Sequence, residues 1–115
     1  MKRLMVPVVL VAGLAACSSG ATGDGQSFAT ASQLAAKIGC TGYSKDAQDP
    51  MAKESGSCSL NGQTVQVYVF ASDSARDAMV KAFPGSWAKG PSWALTSPDA
   101  GTVKAANAKA GGTTS

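Results

Sequence analysis

Asn61-Gly62 stands between two extended runs, residues 57–60 and 63–70. An Asn-Gly pair in this setting predicts a two-residue type I′ hairpin. Both turn residues need positive φ, and the turn's twist matches that of the strands it joins. A two-residue loop fixes every pair beyond it: Leu60 faces Gln63, Ser59 faces Thr64, Cys58 faces Val65 and Ser57 faces Gln66. Opposed residues share a face of the sheet. One face therefore collects Cys58, Leu60, Val65, Val67 and Val69, and the other collects Ser57, Ser59, Thr64, Gln66, Tyr68 and Phe70. The first is the core face, and a slip of one residue would invert every assignment.

Helical signals flank the hairpin. Thr30 as N-cap and Gln33 three residues on form a capping box. Ala31, Leu34, Ala35 and Ile38 then fall on one helical face, and Gly39 is placed to end the helix. Residues 40–43 read as a brief extended piece, and 44–55, polar and mixed in charge, as an exposed loop. Ser72 or Asp73 caps a second helix with Ala75, Ala78, Met79, Ala82 and Phe83 on its apolar side, an outward Asp77–Lys81 pair, and a stop at Pro84-Gly85. A Gly/Pro-marked loop carrying Trp87 leads to a last strand over 92–97 that points Trp93 and Leu95 to one side. Ser97-Pro98-Asp99 opens a third helix with Ala100, Val103, Ala106 and Ala110. Gly111-Gly112 ends it, and 111–115 reads as a disordered tail. Helix, hairpin, helix, strand, helix predicts an α+β domain over 28–110, a small antiparallel sheet with helices packed on one face.

The N-terminal segment has a different character. Met1-Lys2-Arg3 is basic, and residues 4–16 carry no charge. That run is too short to cross a bilayer, which takes about twenty apolar residues, but it suits the hydrophobic region of an export signal. It ends in Leu14-Ala15-Ala16-Cys17, which resembles the lipobox of bacterial lipoproteins. The resemblance implies a signal peptide over 1–16, cleavage before Cys17, and a diacylglycerol on the Cys17 thiol. Two or three acyl chains hold a protein stably to a membrane surface without spanning it. Residues 17–27 have no large apolar group and read as the lipidated cysteine followed by a flexible tether. The body is similar to small lipoproteins of actinobacteria in having a cysteine after the first helix, a second opening a hairpin, Gly-Pro-Ser-Trp-Ala-Leu as the last strand and Gly-Gly at the end. That similarity implies no activity.

With Cys17 lipidated, Cys40 and Cys58 remain. Disulfides persist where exported chains reside, and two cysteines allow one pairing. The hairpin register points Cys58 inward, where Cys40 at the helix end can meet it. Two free buried thiols are the other reading. A metal site is disfavoured because the chain has no His and the spacing is eighteen.

The residues offer little chemistry. The 115-residue length allows one domain and excludes two-lobed binding proteins and most hydrolases. The precursor's +3 charge includes Lys2 and Arg3; without them, eight basic residues oppose seven acids. The lysines are scattered among acids, so no nucleic-acid partner is expected. Ser86-Trp87-Ala88-Lys89 fits the Ser-x-x-Lys pattern of penicillin-recognising enzymes, but the further elements that give that pattern meaning are absent from the chain. Asp46 and Asp49 lack the spacing of a calcium loop and read as solvated charges. Tyr68 and Phe70 on the non-core face, with Trp87 nearby in sequence, form a partner surface if left uncovered. The alternative is that Phe28 or the 44–55 loop packs over them.

These readings converge on a lipid-anchored protein on the extracytoplasmic face of the cell membrane. It is expected to be non-enzymatic, to need no cofactor or metal, and to bind an envelope protein or a small ligand. The alternative is an inhibitor-like or sensor domain acting through the loop at 44–55 or at 84–91.

Overall fold

The computed structural model describes residues 26–48 and 50–114. The signal segment, Cys17, most of the tether, Asp49 and Ser115 lie outside the described residues. The elements in chain order are α1 (Ala31–Lys37), β1 (Thr41–Lys45), β2 (Glu54–Leu60), β3 (Gln63–Val69), α2 (Asp73–Ala82), β4 (Trp87–Gly90), β5 (Trp93–Thr96), α3 (Ala100–Ala110) and β6 (Thr113–Thr114). The six strands form one antiparallel sheet in the order β1-β2-β3-β5-β4-β6. The fold is α+β and carries one disulfide, as expected.

The hairpin forms in the expected register, with Leu60 opposite Gln63 and Cys58 opposite Val65, and the pairing runs on to Glu54 opposite Val69. Asn61 and Gly62 both take positive φ, 53° and 77°, as the type I′ turn requires. Val65, Val67 and Val69 are buried on one face together with Trp93 and Leu95 of β5 and Ala88 of β4. Across this face lie α1, through Ala31, Leu34, Ala35 and Ile38, and α3, through Val103, Ala106 and Ala110. Burying a Leu, Ile or Val side chain stabilises by about 1.5–3 kcal/mol, so this layer is the main core.

Capping chemistry sets the helix ends. The Gln33 backbone N–H donates to Thr30 Oγ1 at 3.1 Å, and the Gln33 side chain reaches back to accept from Ala29 N–H at 3.0 Å. Ser72 Oγ accepts from Ala75 N–H at 3.1 Å. Asp99, rather than Ser97, caps α3 and accepts from Thr102 N–H at 2.9 Å. Cys40, just past α1, is joined to Cys58 of β2 with their Cα atoms 5.7 Å apart.

Three features go beyond the sequence reading. First, residues 87–90, where the sequence predicts a loop, form β4. It pairs with β5 through the turn Pro91-Ser92, where Ser92 takes φ 57° and its N–H is held by Asp73 Oδ1 at 2.8 Å. Second, the helices divide between the two faces. While α1 and α3 share one, α2 lies on the other and packs Met79 and Ala75 against Phe70, Trp87 and Ala94. Strand alternation explains the split, since Phe70 and Trp87 point away from the valine face and need their own cover. Third, the expected disordered tail contributes β6, which pairs Thr113 with Lys89 and Thr114 with Ala88. Gly111 ends α3 with φ 82° and turns the chain back along the sheet. Residues before the expected start of the domain at 28 also join the body, because the Gln26 carbonyl accepts from Trp93 Nε1 at 2.8 Å, and Phe28 meets the Trp93 ring edge-on at 5.9 Å.

Candidate functional site

Helix α2 is too short and too poorly apolar to cover its face of the sheet. Only Met79 is fully buried along it, while Ala78 and Ala82 are solvent-exposed. The hydroxyl- and amide-bearing part of that face, with Thr64, Gln66 and Thr96, is left open. Two depressions adjoin there. One, of about 450 Å³, is lined by Met51, Tyr68, Met79, Phe83 and Trp87. The other, of about 420 Å³, is lined by Thr64, Gln66, Ser86, Thr96 and Ser97. Pro84 and Thr96 border both, so an apolar half runs into a polar half. At the rim stands Phe83, 54% exposed although it is large and apolar. Its carbonyl accepts from Trp87 Nε1 at 2.7 Å, which fastens the end of α2 to β4.

The candidate partner surface of Tyr68, Phe70 and Trp87 is thus largely covered. The three rings do come together: Tyr68 stacks on Phe70 at 6.0 Å and meets Trp87 at 5.8 Å. Phe70 and Trp87 are nonetheless only 2% and 3% exposed, beneath α2 and the packed residues Met51 and Ala52. The loop therefore does pack over them, as the alternative reading had it, whereas Phe28 is on the opposite face. Tyr68, half-buried, and the edge of Trp87 border the groove. Helical spacing puts Phe83 on the apolar side of α2, but the helix ends at Ala82 and Phe83 takes extended backbone just before Pro84, so its ring stays exposed.

The two candidate contact loops are smaller than the sequence suggested. Residues 44–45 and 54–55 belong to strands, and the segment between them is fastened at its two ends by Asp46 N–H donating to the Ser55 carbonyl at 2.9 Å and Lys53 N–H to the Val69 carbonyl at 2.8 Å. Asp46 itself accepts from Ser55 Oγ at 3.2 Å and from the Gln66 side-chain amide, so it orders the polar end of the groove. Half of 84–91 is β4.

A second cavity, of about 230 Å³, lies between α2 and the β4–β5 turn, beside Asp73, Arg76 and Lys89. Its charges are matched. Arg76, its side chain 13% exposed, reaches Asp73 at 3.2 Å and Asp77 at 2.9 Å and donates to the Gly90 carbonyl. Lys89 Nζ lies 3.5 Å from Asp77. The hydrogen bond from Arg76 holds the Asp77 carboxyl below its usual range. Asp77 thus pairs with Arg76 and Lys89, in place of the expected Lys81. Within Ser86-Trp87-Ala88-Lys89, the lysine serves this ion cluster, while Ser86 borders the groove and its carbonyl accepts from Thr96 Oγ1 at 2.6 Å.

Among the described residues, no group of three or more His, Cys, Asp or Glu is placed to hold a metal ion, and no helix is long and apolar enough to cross a membrane. Comparison with known protein families, with curated proteins and with solved structures finds no match to this chain.

Proposed function

We propose that the chain is a lipid-anchored lipoprotein of the extracytoplasmic membrane face. In this reading it is a non-enzymatic domain that binds an envelope component in the groove beside α2. The observation that carries the reading is Leu14-Ala15-Ala16-Cys17 at the end of a short uncharged run behind a basic start. A disulfide between Cys40 and Cys58 supports it, because such bonds persist in oxidising compartments. The binding role is supported by the groove, which offers an apolar wall at Tyr68 and Phe83 and hydrogen-bonding groups at Gln66 and Thr96. A ligand with an apolar end and a polar end suits this arrangement.

The anchor is tested by Cys17→Ser. The variant is expected to lose radiolabelled palmitate and to leave the membrane fraction of its host while keeping its circular dichroism spectrum. Unchanged membrane partition overturns the anchor. The binding role is tested by a photocrosslinking side chain at Phe83 in intact cells. An adduct with one envelope component is expected there, and none from the same group at Gln63, which is exposed outside the groove. Equal labelling from both positions removes the groove from the reading.

A further inference from the structure

The tether joins the body at a defined place. Gln26 is fixed to Trp93, and Gln26 and Phe28 border a shallow depression with Gln33, Ala36 and Lys37 on the outer side of α1. From Cys17 to Gln26 there are nine residue steps. A Gly/Ser-rich stretch of that length spans about 15–18 Å on average and at most about 32 Å when fully extended. An anchor at Cys17 therefore keeps Gln26, at the outer side of α1, within about 32 Å of the lipid headgroups.

That surface is one-sidedly basic. Helices α1 and α3 carry Lys37, Lys104 and Lys109 and contain no Asp or Glu. All three lysines are exposed. Lys109 lies beside the end of α1, its Nζ 3.4 Å from where a Cβ on Gly39 would stand. Among the described residues, Asp99 is engaged in capping α3 and Glu54 accepts from the Tyr43 hydroxyl at 3.0 Å. On the opposite side, α2 balances Asp73 and Asp77 with Arg76 and Lys81.

We infer that the α1/α3 layer docks on an anionic lipid surface through Lys37, Lys104 and Lys109, which turns the groove beside α2 away from the membrane. This inference rests on the anchor proposed above. Lysines near an anionic bilayer are attracted within a Debye length, about 8 Å at physiological salt; the tether lets the body approach to that distance, and the attraction then holds this face there.

The test uses the full chain, acylated in a bacterial host, purified in detergent and reconstituted on two kinds of vesicle: phosphatidylcholine alone, and phosphatidylcholine with phosphatidylglycerol. Flotation reads the anchor. Acylation of each lysine by a membrane-impermeant amine reagent, followed by mass spectrometry, reads the orientation. The expected result is flotation on both vesicles, with labelling of Lys37, Lys104 and Lys109 slowed by roughly threefold or more on the anionic ones and labelling of Lys53 and Lys81 unchanged. Salt at about 1 M is expected to abolish the difference. Flotation with equal labelling on both vesicles, protection of Lys53 and Lys81 instead, or protection that survives salt overturns the docking and leaves the anchor standing. Failure to float overturns both.

Discussion

Trp93 shows how much of this small core depends on single atoms. Its indole is fully buried, bonds the Gln26 carbonyl, meets Phe28 and lies against two glycines. A Cβ built on Gly90 would stand 2.5 Å from three of its ring atoms, and one on Gly112 would stand 2.7 Å from its ring tip. Gly90→Ala is accordingly expected to cost about 1–3 kcal/mol of stability, read as a lower midpoint in urea; an unmoved midpoint would show that the ring can shift aside. Trp93 was legible as a core residue from its alternation with Leu95. The need for Gly90 was not, because it arises from the residue paired with it across a turn that carries no Asn-Gly mark. Tyr43 supplies a second prediction. Burial first, then its hydrogen bond to Glu54 and the nearby carboxylates of Glu54 and Asp46, push its phenol up to about 12. An unfolded tyrosine ionises near pH 10, so the folded state holds this proton more tightly. The associated stability is intact below about pH 10 and is lost as the pH rises toward 12. Denaturation midpoints over that window should fall in the parent and fall less in Tyr43→Phe.

At the scale of elements, the hairpin and the three helices were readable because each carries its own local punctuation: Asn-Gly at the turn, Thr30 and Ser72 at two helix starts, and Ser97-Pro98-Asp99 at the third, although there the cap proved to be Asp99 and not Ser97. Strands β4 and β6 were not. Four residues of Trp-Ala-Lys-Gly and two threonines have no period long enough to register, and both become strands only because β5 offers an edge to β4, and β4 to β6. The missing β4 also hid the need for a helix on the second face, since Trp87 and Phe70 require cover only once they lie side by side on one sheet. Packing at this face separates two phenylalanines. Phe70→Ala is expected to lose about 3–5 kcal/mol, whereas Phe83→Ser should change stability by less than about 0.5 kcal/mol. Equal losses in thermal or urea unfolding would mean that Phe83 supports the fold and does not serve as a groove wall.

For the whole molecule, the disulfide is the main covalent constraint. It closes a loop with a sequence separation of 18, which on the chain-entropy model stabilises by about 3 kcal/mol. The Cys40→Ser, Cys58→Ser double variant should lose an amount of that order in urea denaturation. The intact protein should weigh less than its reduced form by two hydrogens; free thiols in the denatured, unreduced protein would contradict the bond. This pairing was legible because two cysteines remain in the body and the hairpin register points Cys58 inward toward the end of the first helix, where Cys40 stands. The groove was illegible, since it exists only where α2 stops short over strands distant in sequence. The fastening of Gln26 to Trp93 bears on mechanics. Under the proposed anchor, a tug from a moving membrane would reach β5, which has a neighbouring strand on each side, through the Gln26–Trp93 bond, and would reach β2 through α1 and the Cys40–Cys58 link. A pull shared among inner strands must shear many backbone bonds together and cannot peel a margin one bond at a time, so the fold should keep its shape under a strain that has already drawn its leash taut.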